Sequence, residues 1–293
     1  MTDPERAPYP SETLLAGPEK PEEADILPVN DEEGRIRPQF VTAVEAAITN
    51  NDEASLRELA APLHEADLAT LIEALPQEFR PKLVELMGPD FDFAALTELD
   101  VNLRDEIFQE MSTRTVAEGM RELETDDAVI LLEDFDKDEQ AEILQALPAV
   151  DRAALQRSLE YADGSAGRLM QTTLVIAPPF WTAAQMIDFL RDADAEALPE
   201  SFFEVFIVDP AHRLLGNVFL DGVLRARGSQ RLGDIMQTDR RCVLVSEDRE
   251  EVARIFQRYN LVSVPVVDEA QRLVGVITID DMSMSFAKRR MKI

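Results

Sequence analysis

The sequence predicts an α+β multidomain protein, in which an α-helical superhelical N domain is followed by a tandem pair of small α/β units. Three patterns carry that expectation: an apolar repeat of 12 residues from Leu63 to Leu159, β-branched runs closed by polar turns in the last third of the chain, and a second copy of that strand–turn–strand pattern upstream.

Residues 1–37 read as an acidic, Pro-rich disordered tail. Pro4, Pro8, Pro10, Pro18, Pro21 and Pro28, with Pro38 at the edge, lie among scattered acids without any sustained apolar period. The helical domain is expected over 38–160. A first helix runs from Phe40 through Val41, Val44, Ala47 and Ile48 until Asn50-Asn51-Asp52 breaks it. From there the period takes over. Leu63, Leu75, Met87, Leu99, Met111, Leu123, Phe135, Leu147 and Leu159 are 12 residues apart, and the positions eight and nine beyond each are mostly apolar. Spacings of 8, 9 and 12 share one helical face, and Pro76, Asp100, Ser112, Asp136 and Pro148 mark turns between units. Helices of about two turns are unstable alone, so successive ones must stack into a shared core. The acids, among them Glu65, Asp67, Glu122, Glu124, Asp126, Asp127, Glu133, Asp134, Asp136, Asp138 and Glu139, are expected on the outward faces, where they attract Mg²⁺ weakly.

Residues 161–230 form the first α/β unit and 231–283 the second. In the second, Ser246 is placed to cap a helix beginning near Asp248, whose Val252, Ile255, Phe256 and Tyr259 fall on one face. Strands over 261–267 and 273–279 follow, joined by the turn Asp268-Glu-Ala-Gln-Arg272. The unit ends on Gly275-Val-Ile-Thr278-Ile-Asp-Asp281, a hydroxyl and a carboxylate where strand gives way to helix. Upstream, Asp209-Pro-Ala-His-Arg-Leu-Leu-Gly216 repeats the turn and the glycine, and Arg231-Leu-Gly-Asp-Ile-Met236 joins the copies. Trp181 opens a helix through Met186, Phe189 and Leu190, as packing. Cys242 falls in a strand expected over 241–246.

This ordering resembles a pair of CBS domains. Tyr161-Ala-Asp-Gly-Ser-Ala-Gly-Arg-Leu-Met170 further resembles the segment that leads into the CBS pair of the MgtE family of magnesium transporters and channels, where an acidic helical N domain comes first. The resemblance implies a homodimer through the CBS helices, Mg²⁺ held by carboxylates between domains, and a transmembrane domain beyond the CBS pair. It assigns Gly275, Thr278 and Asp281 to adenine nucleotide, ATP or a relative, and Glu250 and Asp281 to metal. Asn260 stands where the family pattern suggests an acid, and Phe219 replaces the threonine in the first copy. The rival reading is a free-standing CBS regulator of adenine nucleotide response. The family continues into an acidic connecting helix, whereas residues 284–293 form a basic tail with Lys288, Arg289, Arg290 and Lys292. A permitted codon choice from Met282 onward reads in a neighbouring frame as the acidic Val-Asp-Val-Ile-Arg-Lys-Glu-Ala-Asp-Glu-Asp, so a truncated transporter is one expectation and a short protein the other.

Composition agrees with an ion-binding protein. With 58 acidic against 29 basic residues the formal charge is -29, which repels nucleic acid and concentrates divalent cations. Cys242 is the single cysteine, so no intrachain disulfide forms and a cytoplasmic setting is expected. No run approaches the roughly 18 apolar residues a spanning helix needs. An enzyme is not expected: His64 and His212 have no evident catalytic partner, and no phosphate-binding glycine loop is present.

Overall fold

The computed structural model describes residues 29–282, apart from 32, 34, 195, 196, 200 and 240. The basic tail and most of the Pro-rich segment lie outside the described residues. Ten helices, α1 (Pro38–Thr49), α2 (Glu53–Ala60), α3 (Glu65–Ala74), α4 (Arg80–Met87), α5 (Ala94–Thr97), α6 (Val101–Gln109), α7 (Thr113–Met120), α8 (Thr125–Leu132), α9 (Lys137–Ala146) and α10 (Ala149–Glu160), build the N domain.

Six of the nine 12-residue markers share one physical role. Leu63, Leu99, Met111, Leu123, Phe135 and Leu147 each stand one residue before a helix N-cap, at His64, Asp100, Ser112, Glu124, Asp136 and Pro148. An apolar residue there packs against the first turn and fixes the angle at which the chain enters its helix. All nine markers belong to one core, together with Leu71, Leu83, Ile107, Leu131, Ile143 and Leu155 eight positions on. Asp136 adds a full capping box with Glu139. The helices stack on their second or third neighbours, α2 on α4 on α6 and α3 on α5 on α8 on α10, which makes a layered array.

Two departures from the sequence expectations concern this domain. Residues 29–37, expected to end a disordered tail, fold back on the array: Arg37 N–H donates to Val29 O at 2.8 Å, Asn30 Nδ2 donates to Asp67 at 3.0 Å, and Val29 and Ile36 pack on the core. Two apolar residues seven apart were too sparse to register as a period. The acids are not all outward either, because Asp134 pairs with the buried Arg104 and Asp126 is only 5% exposed.

The C-terminal half contains α11 (Ala166–Leu169), β1 (Ile176–Ala177), α12 (Ala183–Asp192), β2 (Glu204–Val208), β3 (Leu214–Phe219), α13 (Leu220–Arg225), α14 (Leu232–Ile235), β4 (Val243–Leu244), α15 (Arg249–Tyr259), β5 (Ser263–Val267) and β6 (Leu273–Thr278). Two three-stranded sheets, β1-β2-β3 and β4-β5-β6, each join a parallel to an antiparallel pair. The repeat extends to detail: each hairpin carries an irregularity at the same place, after Ile207 and after Val266. Asp209 and Asp268 hold their turns identically, each accepting from the N–H groups two and four residues on and from the side chain of Arg213 or Arg272. The hairpin tips pair with each other, Leu273 N–H donating to His212 O at 2.9 Å.

The unit boundaries are crossed. Ala166 and Met170, which lead the first unit in sequence, are buried in the core of the second, while Leu232, which leads the second, is buried in the core of the first. Each crossing strand needs a glycine beside it. A Cβ on Gly275 would sit 2.8 Å from Gln171 O, and one on Gly216 would collide with Gln237 O. Asp248, not Ser246, caps α15, accepting from Glu250 N–H at 2.8 Å. Cys242 is exposed just before β4, which covers only Val243–Leu244.

Arg104 is the chief polar element of the helical core. At 4% exposure it donates to Asp134 at 2.6 and 3.0 Å and to Leu99 O at 2.9 Å, tying α6 to the turn after α8. Removing it strands a carboxylate and a carbonyl, so Arg104→Ala is expected to cost about 3–5 kcal/mol. Urea unfolding checks this, with Arg114→Ala, an exposed pair on α7, expected to leave the midpoint unchanged.

Candidate ligand and ion sites

Thr278 closes β6, and the Asp281 carboxylate accepts its N–H at 2.7 Å. An acid three residues past a strand-terminal threonine satisfies a donor that the next helical turn leaves free, so the local chain fixes the orientation of Asp281. Thr278 Oγ1 is buried and makes no full hydrogen bond among the described residues, although it faces the same carboxyl. It opens on a narrow cleft of about 30 Å³ between the two units, walled by Leu174, Val175, Phe202, Phe206 and Val276. Gly275, expected to touch nucleotide, has Met170 and Gln171 passing close beside it. In the first copy Phe219 and Gly222 occupy the positions of Thr278 and Asp281, leaving neither hydroxyl nor carboxylate there.

Across the domain junction, Asp126 in the first turn of α8 faces Asp281. Burial pushes the Asp126 carboxyl well above its ordinary value of 3.8, and repulsion from Asp281, then Asp127 and Glu124, adds to it. Asp281 is raised by the same desolvation and by Asp280, against the lowering effect of its hydrogen bonds with Thr278 and with the Asp126 side chain. Asp126 Oδ1 has no hydrogen-bond partner among the described residues. Around the pair the junction is secured by the Thr125 and Thr172 hydroxyls at 2.7 Å and by Arg168, which donates to Glu133 at 2.9 Å and to Ser158 O at 3.2 Å.

Sequence reasoning named Glu250 and Asp281 as metal carboxylates and left Asp126 on the outward face. In the structure Glu250 is exposed in the first turn of α15, and Asp126 is the acid that meets Asp281. Among the described residues no group of three or more His, Cys, Asp or Glu is gathered to hold a metal. Two carboxylates still suffice for Mg²⁺, which keeps most of its water. Asn260 is explained by backbone: it ends α15 in the left-handed region, φ 48° and ψ 51°, where asparagine is favoured over most residues. His64 caps α3, accepting from Ala66 N–H at 3.3 Å, and His212 takes the left-handed position of its turn at φ 62°.

Residues 63–164 match the family model of the MgtE intracellular N domain, and residues 232–288 match that of the CBS domain. The magnesium transporter MgtE of Thermus thermophilus is 28% identical over 247 residues, which cover 83% of this chain and 54% of that protein. MgtE of Bacillus subtilis is 25% identical over 216 residues, 74% of this chain and 48% of that protein. The chain thus spans about half the length of the curated relatives it matches. The crystal structure of the cytosolic domain of the Mg²⁺ channel MgtE in complex with ATP matches with a TM-score of 0.75 at 28% identity, covering 83% of this chain and 98% of that one. The soluble part of a magnesium transporter has the same fold, with a TM-score of 0.77 at 24% identity over 86% of this chain and 98% of that one. Among the described residues no helix is long and apolar enough to cross a membrane.

The raised carboxyls give a pH signature. Folded Asp126 keeps a proton that the unfolded chain releases, so in chelator-treated buffer its contribution to stability falls as pH rises from about 4 toward neutrality. Asp126→Asn carries no such charge. It is expected to be more stable than the parent near neutral pH and to lose that part of the pH slope. Thermal melts of both proteins across pH check it, and a variant less stable at every pH counts against the buried pair.

Proposed function

Because this chain joins an MgtE-type N domain to a CBS pair, we propose that it serves as the Mg²⁺-sensing cytosolic region of a magnesium transporter, working at the inner face of the cell membrane on a transmembrane domain. The observation that carries this reading is the buried Asp126 carboxyl set against Asp281 across the junction, its Oδ1 left without a hydrogen-bond partner among the described residues. A divalent cation between the two carboxylates replaces repulsion by attraction at the contact between domains. It therefore binds the closed arrangement better than an open one, and the population shifts accordingly. Asp126 and Asp281 are the proposed ligands, with water completing the shell. Under this reading the chain alone binds ions and catalyses nothing.

A homodimer through the CBS helices fits the apolar side chains left exposed on them, Phe189 and Leu224 in the first unit and Tyr259 in the second, with Val262 just beyond α15. Adenine nucleotide is the proposed second ligand, supported by the buried, incompletely bonded Thr278 hydroxyl and by the ATP complex of a protein 28% identical. Thr278 and Asp281 would take the sugar hydroxyls, with the apolar cleft wall against the base.

Mg²⁺ at about ten times its dissociation constant is expected to stabilise the chain by about 1.4 kcal/mol, read as a melting shift of a few degrees beyond that of a monovalent salt at equal ionic strength. Asp126→Asn, although more stable without metal, should lose the Mg²⁺-specific part. A full shift in that variant would remove the pair from sensing. For the nucleotide, calorimetry should give ATP binding to the parent chain and a loss of at least tenfold in Thr278→Val, the cost of one buried hydrogen bond to a ligand hydroxyl being about 1.5 kcal/mol.

A further inference from the structure

A groove opens in the N domain where its rows of helices part. Helix α4 stacks on α2 and α6, whereas α7 stacks on α9, and between α4 and α7 lies a cavity of about 1190 Å³. Its floor is apolar, with Val84, Phe91, Phe93 and Ile107 lining it and the two phenylalanine rings set edge to face at 5.5 Å. Gly119 of α7 seats the Phe93 ring, which a Cβ there would strike. The rim is acidic. Glu106 and Glu118 are taken up by Arg80 and Arg114, while Glu78, Glu85, Glu110 and Glu122 are exposed and form no ion pair among the described residues. The rim bases Arg80 and Arg121 are held by Glu106 and Asp151, which leaves Lys82 to offset those four carboxylates.

We propose that this groove is the docking site of residues 283–293 of the same chain. That segment lies outside the described residues, and its composition complements the groove. Lys288, Arg289, Arg290 and Lys292 stand among Phe286, Met291 and Ile293 without an acid, in a chain whose acids outnumber its bases 58 to 29. Guanidinium and ammonium groups suit the groove twice, since they pair with carboxylates and lie favourably against aromatic rings. The reach is sufficient. Asp281 meets Asp126, and Glu122 on the near rim is only four residues before Asp126, a span of at most about 14 Å. The ten residues from Met282 to Lys292 extend up to about 34 Å. Each exposed ion pair is weak, but tethering holds the segment at an effective concentration far above that of a free peptide. The groove shares no lining residue with the Asp126–Asp281 pair, so this docking stands apart from the sensing reading.

Trypsin cleavage after Arg289 and Arg290 in the intact chain, read by mass, reports docking, because a seated segment is shielded. The triple variant Glu85→Gln, Glu110→Gln, Glu122→Gln is expected to speed that cleavage about threefold or more. A control that removes as much exposed charge elsewhere in the N domain, Glu58→Gln, Asp138→Asn, Glu142→Gln, should leave the rate at the parent value. Equal rates in all three proteins, or equal acceleration in both variants, would overturn the proposal. Zero-length carbodiimide cross-linking of the parent reads the same contact without any substitution. Lys288 or Lys292 joined to Glu78, Glu85, Glu110 or Glu122 supports it, and tail lysines joined only to acids outside the groove overturn it. In a mixture of ordinary and 15N-labelled chains, cross-links that join one of each would seat the segment in a second copy and overturn the same-chain assignment.

Discussion

At Gly275 the chain of the opposite unit passes so close that a methyl group would meet the backbone of Gln171, and at Gly216 the same holds for Gln237. These two approaches fix how the C-terminal half is put together. Each unit lends its leading helix to the other, α11 to the second core and α14 to the first, so neither core is complete without the whole pair. The exchange also fixes the N domain. Helix α10 runs into α11, α11 is committed to the second unit, and α8 packs on α11. Asp126 is thereby carried to the end of β6, although 155 positions separate it from Asp281 in the numbering.

The junction so formed is polar where a stability argument alone would make it apolar. Burying two carboxyls against each other costs free energy unless they are protonated or bridged. The Thr125–Thr172 and Arg168–Glu133 contacts beside them hold the domains together without neutralising the pair. An interface assembled this way has a built-in dependence on what occupies it.

Much of the fold could be read from the residues, because the repeats act locally. Six of the nine 12-residue markers are apolar since each seats the start of a helix, and the two hairpins repeat since Asp209 and Asp268 make the same turn with the same arginine spacing. Thr278 and Asp281 were legible for a similar reason, their relation spanning three residues. What escaped was tertiary. Asp126 sits in Thr125-Asp-Asp-Ala, where composition suggests only a charged helix start, and nothing local says which of two adjacent acids turns inward. The crossing of the leading segments leaves no pattern beyond two glycines. Glu204 had a faint signal, an acid at the head of the fully buried run Val205-Phe-Ile-Val208, but its partners lie 13 and 59 residues away.

The layered N domain has a mechanical consequence. Because α2, α4 and α6 form one row and α3, α5, α8 and α10 another, each layer leans chiefly on its nearest companions in the row. Such an array behaves as a coiled spring clamped at one end. A small tilt of α8 on α11 would be passed from layer to layer, so that the layers farthest from α8 would move most. Under the proposed sensing role, an ångström-scale event at two carboxylates would become a change of outline at the far layers, where a distance probe would register it first.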